Sequence, residues 1–159
     1  GDNPYRIFAA HEVAGIADGS MATKMTVQFN LFGGTVLKLG TARHHGPLLD
    51  AIDRFDQVGC FALTELGYGN NAVEMETQAV YDPASDELVV HTPSTLAQKY
   101  WITNGAVHAH FAVVFARLLV GGEDYGVHGV LVRIRNDDLS IVPGVRILVV
   151  SLGRLGQVR

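Results

Sequence analysis

The chain changes its period at residue 58. Before that point apolar residues recur every three or four positions; after it they come in short runs rich in β-branched residues, broken by turn residues. A spacing of three and four suits a helix with one buried face, and short β-branched runs between Gly, Pro, Asn and Asp clusters suit strands. A single change of this kind in 159 residues points to an α+β arrangement. A helical N-terminal segment, residues 1–57, is followed by a β domain, residues 58–159.

In the helical part, Ser20 is placed to cap a helix whose stripe is Met21, Met25, Phe29, Phe32 and Val36. Gly33 and Gly34 interrupt that stripe, each at about 1 kcal/mol against alanine. They either admit a close neighbour or mark a helix end, and the sequence favours the end. "HHGPLLDAIDRF" opens another helix, with Pro47 in its first turn and Leu48, Leu49, Ile52 and Phe55 on one face. In the second part, "VGCFALTEL" reads as a strand and "METQAVYDPASDELVVHTP" as two strands around the turn cluster 82–86. "AHFAVVFARLLV" is a long apolar run, "GGEDYG" a turn, "VHGVLVRIR" an alternating strand, and "PGVRILVV" closes the series. Several short strands joined by turns predict an antiparallel β-barrel or sandwich.

Hydrophobic residues make up 48% and charged residues 18%, enough apolar matter for a core without a disulfide or metal staple. The formal net charge of -4 argues against nucleic acid as the main partner, because phosphate binding needs a basic face. Cys60 is the only cysteine, so no intrachain disulfide forms and an intracellular compartment is expected. No apolar run is long enough for a membrane span. The chain has no initiator Met and no targeting pattern at either end, and a piece of a longer protein is expected.

Two apolar runs stop at similar edges: "CFALTELGYGNN", residues 60–71, and "KYWITNG", residues 99–105. The Thr64 hydroxyl can donate and accept, and the glycines beyond it permit close approach of a ligand. The alternative is that Thr64 caps its own backbone and Glu65 is solvated. Trp101, the only tryptophan, is either a core residue with a satisfied N–H or a flat face for a ligand. His108 and His110 alternate, so a strand would put them on one face, but no third metal ligand stands at convincing spacing. Cys60 has no activating base nearby and reads as an inert buried thiol. "GGTVLKLG" does not follow a strand and is not a dinucleotide loop.

In this order and at this separation, the two edges resemble the paired signatures of the acyl-CoA dehydrogenase and acyl-CoA oxidase superfamily. "YDP", "VVFARL" and "YGVH" are closer to the oxidase branch, and the resemblance covers residues 1 to about 155. It implies a chain holding the end of an N-terminal helical domain and most of a middle β-barrel domain that binds FAD. A C-terminal helical domain would lie outside. By the same resemblance, Phe61, Leu63 and Thr64 line the flavin, Trp101 lies beside it, and Thr103 is the hydroxyl donor at its reacting edge. Asn70 matches a position that touches the CoA part of a fatty acyl-CoA, where serine is more usual. The implied reaction is α,β-dehydrogenation to the trans-2-enoyl-CoA, the first step of β-oxidation, with electrons passed to oxygen.

The family's catalytic glutamate belongs to the absent C-terminal domain. No catalytic residue is therefore expected in this chain, and Glu65 is not that base. Many oxidases have glycine where Thr103 stands, so a dehydrogenase with a protein electron acceptor is the alternative within the superfamily. A non-catalytic β-barrel interaction module is the alternative from another class. The resemblance also implies a homo-oligomeric full-length protein and, through the oxidase branch, the peroxisome.

Overall fold

Helices fill the chain up to residue 53 and strands begin at residue 59, in a computed structural model that describes residue 3 and residues 5–147. The helical part contains α1 (Tyr5–Ala17), α2 (Gly19–Met25), a π-helical stretch (Thr26–Gly33), α3 (Gly34–Leu39) and α4 (Ala42–Asp53). The cap of α2 is Asp18 rather than Ser20. Its Oδ1 accepts the N–H of Ser20 at 2.7 Å and of Met21 at 3.3 Å. A carboxylate one residue outside the helix is a stronger acceptor than a hydroxyl already inside it.

The helix does not end at Gly33 and Gly34. It widens into the π stretch and narrows again as α3. A Cβ on Gly33 would lie 3.1 Å from the Gln28 carbonyl oxygen and 3.2 Å from Ile52 Cγ2, so the glycine allows close packing against α4. Helix α4 starts earlier than expected, after Thr41, whose N–H donates to His44 Nδ1 at 3.1 Å. Pro47 therefore lies inside it. Leu48 and Ile52 of α4 join Phe32, Val36 and Val113 in the core where helices meet sheet.

Gln28 ties that junction. It is fully buried, and its Nε2 donates to the carbonyls of Ile52 at 3.3 Å and Gln57 at 2.8 Å. Its Oε1 accepts the N–H of Gly59, the first residue of β1, at 2.9 Å.

The strands are β1 (Gly59–Ala62), β2 (Gln78–Asp82), β3 (Glu87–His91), β4 (Phe111–Val120) and β5 (Glu123–Arg133). They form a curled half-barrel that is mixed, not antiparallel as the short runs suggested. Strands β1 and β2 lie one after the other along one edge of β4, both parallel to it. Gly59–Ala62 face Phe111–Val114, and Gln78–Val80 face Arg117–Leu119. Strand β5 covers the other edge of β4, antiparallel. The reason lies in the connections. Only β2–β3 and β4–β5 are joined by tight turns, and tight turns force antiparallel pairing. Gly121 and Gly122, at φ 60° and 89°, make the β4–β5 turn that residues with a Cβ resist. Strand β3 turns back, and the long segment 92–110 reverses the chain again, so β4 enters parallel to β1 and β2.

His108 and His110 lie in the loop before β4 and do not share partners. His108 Nδ1 is 2.9 Å from Lys24 Nζ, while His110 Nδ1 accepts the Val58 N–H at 3.2 Å. Residues 145–147 are irregular, and the remainder of the expected closing strand "PGVRILVV" lies outside the described residues, as does "LGRLGQVR". Among the described residues, no helix is long and apolar enough to cross a membrane.

Candidate functional site

The two edges quoted from the sequence lie side by side. Beyond β1 the chain continues as an irregular edge, residues 63–67, which runs antiparallel to residues 96–100. The Tyr100 N–H donates to the Thr64 carbonyl at 3.0 Å, Leu66 N–H to Gln98 at 2.9 Å and Gly67 N–H to Leu96 at 2.8 Å. Glu65 and Lys99 form the bridge pair between them. A Cβ on Gly67 would lie 2.7 Å from Leu96 Cβ, so this approach requires glycine there.

Glu65 holds the edges together. The sequence left open a solvated Glu65; instead its side chain has no exposure, and that of Lys99 only 12%. The carboxylate accepts the N–H of Glu76 at 2.8 Å, the N–H of Thr77 at 2.9 Å and Lys99 Nζ at 3.0 Å. Lys99 Nζ also donates to the Leu63 carbonyl at 3.0 Å. Burial works against the Glu65 charge, but the hydrogen bonds from Thr77 and Glu76 and the Lys99 ammonium hold its carboxyl below the usual range. Burial pulls the Lys99 ammonium below its ordinary value, with Glu65 opposing. The carboxylate thus joins three segments, 63–65, 75–77 and 97–99.

The site residues named from the sequence fall along this rim. Phe61 is in β1 opposite Val113, its ring 4.8 Å from that of Phe115. Leu63 and Thr64 follow, both half-buried. Trp101 comes directly after the Tyr100–Thr64 contact. It is 85% exposed and sits at φ 60°, a conformation that residues other than glycine adopt at a cost. Thr103 is half-buried in the turn that follows. Asn70 is exposed in the turn after Gly67. The rim is open. The larger of two described cavities, about 450 Å³, lies elsewhere, between α1, the π stretch and α4, lined by Ile7, Phe29, Leu37 and Ile52 among others.

Sequence reasoning missed the Glu65–Lys99 pair, Thr77 and Gln28. One signal was present: each edge carries a charged residue inside or beside an apolar run, and such a residue is rarely buried without a partner.

No protein-family model matches the chain. Among curated proteins, the peroxisomal acyl-coenzyme A oxidase 2 of Arabidopsis thaliana is 45% identical over 153 residues, covering 92% of this chain and 22% of that protein. Among solved structures, acyl-CoA oxidase 1 of Yarrowia lipolytica superposes with a TM-score of 0.84 at 35% identity, over 90% of this chain and 21% of that one. Acyl-CoA oxidase-2 of Caenorhabditis elegans, bound with FAD, ascaroside-CoA and ATP, gives a TM-score of 0.74 at 34% identity, over 78% and 19%. The chain thus spans about a fifth of the length of the relatives it matches. Helices leading into a curled mixed sheet are the acyl-CoA oxidase fold. The chain is homologous to acyl-CoA oxidases over about 90% of its own length.

Proposed function

We propose that the chain carries the cofactor edge of an FAD-dependent, peroxisomal acyl-CoA oxidase. In this reading residues 1–57 end an N-terminal helical domain and residues 58–159 form most of the middle β domain. When bound, FAD supplies the two-electron acceptor for α,β-dehydrogenation of a fatty acyl-CoA to the trans-2-enoyl-CoA, with oxygen as the final acceptor.

The observation that carries the reading is the pairing of the two edges with Trp101 left bare. A lone indole, nearly fully exposed and held in a left-handed conformation, is a preorganised flat surface without a partner. Half-buried hydroxyls stand on both sides of it in sequence, Thr64 on the adjoining edge and Thr103 two residues on. Such residues suit the face and polar rim of a flat heteroaromatic ring. Phe61 and Leu63 supply the apolar wall, and Asn70 is assigned to the CoA part of the substrate. Relatives named as peroxisomal acyl-coenzyme A oxidases, and one solved with FAD and an ascaroside-CoA, support both cofactor and substrate class.

Glu65 is not the base, because its carboxylate is buried and holds three donors of this chain. No catalytic residue is assigned to this chain; the base is expected from a C-terminal domain. The full-length protein is proposed to be a homo-oligomer. Large apolar side chains exposed on α1, Tyr5, Ile7, Phe8, Val13 and Ile16, are the kind of surface that further domains or subunits cover.

FAD titrated into the chain should quench the fluorescence of Trp101, its only indole, and Trp101→Ala should weaken uptake about tenfold, the loss of one stacked aromatic contact. The full-length parent should be yellow and produce peroxide with a fatty acyl-CoA. A parent that takes up no FAD would favour a non-catalytic module, and strict dependence on a protein acceptor would favour a dehydrogenase.

A further inference from the structure

Arg135 is a buried cation to which the proposed function assigns no task. It is 3% exposed and forms no ion pair among the described residues. Its side chain instead collects carbonyl groups from the turn that follows Trp101. One guanidinium nitrogen donates to the Ala109 carbonyl at 2.9 Å. The other donates to the carbonyls of Gly105 at 2.9 Å and Ala106 at 2.6 Å. Its backbone N–H and that of Ile134 both donate to the His110 carbonyl, at 3.1 and 2.8 Å. From just beyond β5, one residue therefore grips both ends of segment 105–110.

That segment continues a costly turn. Trp101 and Asn104 are both left-handed, at φ 60° and 68°. The buried Oδ1 of Asn104 has no partner among the described residues. Such conformations persist only where the surroundings over-determine them. The other described ties are Tyr100 N–H to the Thr64 carbonyl, Asn104 Nδ2 to the Gly59 carbonyl at 3.3 Å, Gly105 N–H to Ile102, Ala109 N–H to Asn104 at 2.9 Å, the contact of Lys24 with His108, and two hydrogen bonds between His110 and Val58. Among the described residues, only Arg135 binds several carbonyls of the turn at once. That task needs a planar fork of donors, which a lysine ammonium does not offer.

We propose that Arg135 is a positioning residue, whose guanidinium locks the 102–109 turn and so presents Trp101 and Thr103 in the geometry the cofactor meets. The functional half of this inference rests on the FAD reading above. The structural half does not.

The test compares the full chain with its Arg135→Met and Arg135→Lys variants under conditions where circular dichroism shows all three folded. Amide hydrogen exchange of Gly105 and Ala109, whose N–H groups close the turn, should accelerate about tenfold or more in the Met variant. Exchange in β4 and β5 should stay within about twofold of the wild type, since the opening is local. The FAD dissociation constant should rise by the reciprocal of the fraction of molecules whose turn stays closed, because only those are competent. The Lys variant should fall between. Exchange that rises equally in turn and sheet would reduce Arg135 to a general stabiliser and overturn the proposal, as would an unchanged turn. If the Met variant does not fold, Lys carries the test, and wild-type exchange and affinity in it would overturn the proposal. A wild-type chain that takes up no FAD would count against the cofactor reading, and the exchange data would still decide whether Arg135 holds the turn.

Discussion

Replacing Glu65 by glutamine should destabilise the chain by about 3 kcal/mol, near the low end of what breaking a buried ion pair costs. The estimate starts from three donors on one carboxylate. Oε1 takes Thr77 N–H and Lys99, and Oε2 takes Glu76 N–H. The best placement of a glutamine keeps its oxygen at the first position. Its amide nitrogen then faces the Glu76 N–H, donor against donor, and Lys99 loses its counter-charge. The 12% exposure of the Lys99 side chain lets water repay part of the loss, which is why the low end is chosen. Against a total stability of about 5–15 kcal/mol, the change is large enough to read from urea unfolding followed by far-UV circular dichroism, provided the slope m is unchanged. Adding Lys99→Met should recover part of it, because the orphaned charge is then gone. A cost below about 1 kcal/mol, typical of an exposed pair, would refute the clamp.

The same pair contributes to the acid limb. Burial opposes the Glu65 charge, yet its hydrogen-bond donors and Lys99 hold the folded carboxyl below its ordinary 4.5. The unfolded carboxyl therefore takes up a proton first as pH falls. The stability contributed by Glu65 is complete above that ordinary value and is lost as pH drops through the lower folded value. The stability gap between wild type and Glu65→Gln should close below pH 4.5. A gap that stays constant into acid would mean that the carboxylate charge contributes nothing.

Two further outcomes follow from the buried start of the sheet. Gly59→Ala would drive a Cβ into the Phe32 ring, an overpacking that should cost about 3 kcal/mol in urea unfolding; an unchanged midpoint would show the contact to be slack. Next to it, burial pushes the Cys60 thiol up to about 12, with Arg135 pulling the other way. Iodoacetamide at about pH 8 should leave it unmodified in the folded chain and alkylate it once urea exposes it; rapid native labelling would contradict the burial.

The sequence showed where helices yield to strands, because periodicity records which side of each element faces the core. The observed helices stop at Asp53 and the strands start at Gly59, around the expected change. Strand direction left no such trace. Phe111–Val120 is apolar at nearly every position, as a strand buried from both sides is, and parallel or antiparallel neighbours suit it equally. The direction came from the segment 92–110, whose course depends on contacts such as His110 to Val58 and Arg135 to Gly105, between residues far apart in the chain. The helix errors were local competitions: Asp18 displaced Ser20 as cap, and Gly33 proved to be a packing site because Ile52 of another helix comes close.

The candidate site divides in the same way. Thr64, Trp101 and Thr103 could be proposed from the sequence because each belongs to a short contiguous motif. The groups that hold those motifs in place were not, since each acts on segments remote in sequence. Glu65 and Lys99 are 34 positions apart, and Arg135 stands 26 to 30 positions from the carbonyls it binds. A carboxylate beside a turn looks solvated until the strand carrying its ammonium is laid against it. In the proposed reading these unmarked charges hold the edges on which the motif residues stand, so substitutions at Glu65, Lys99 or Arg135 should impair FAD uptake without touching the cofactor.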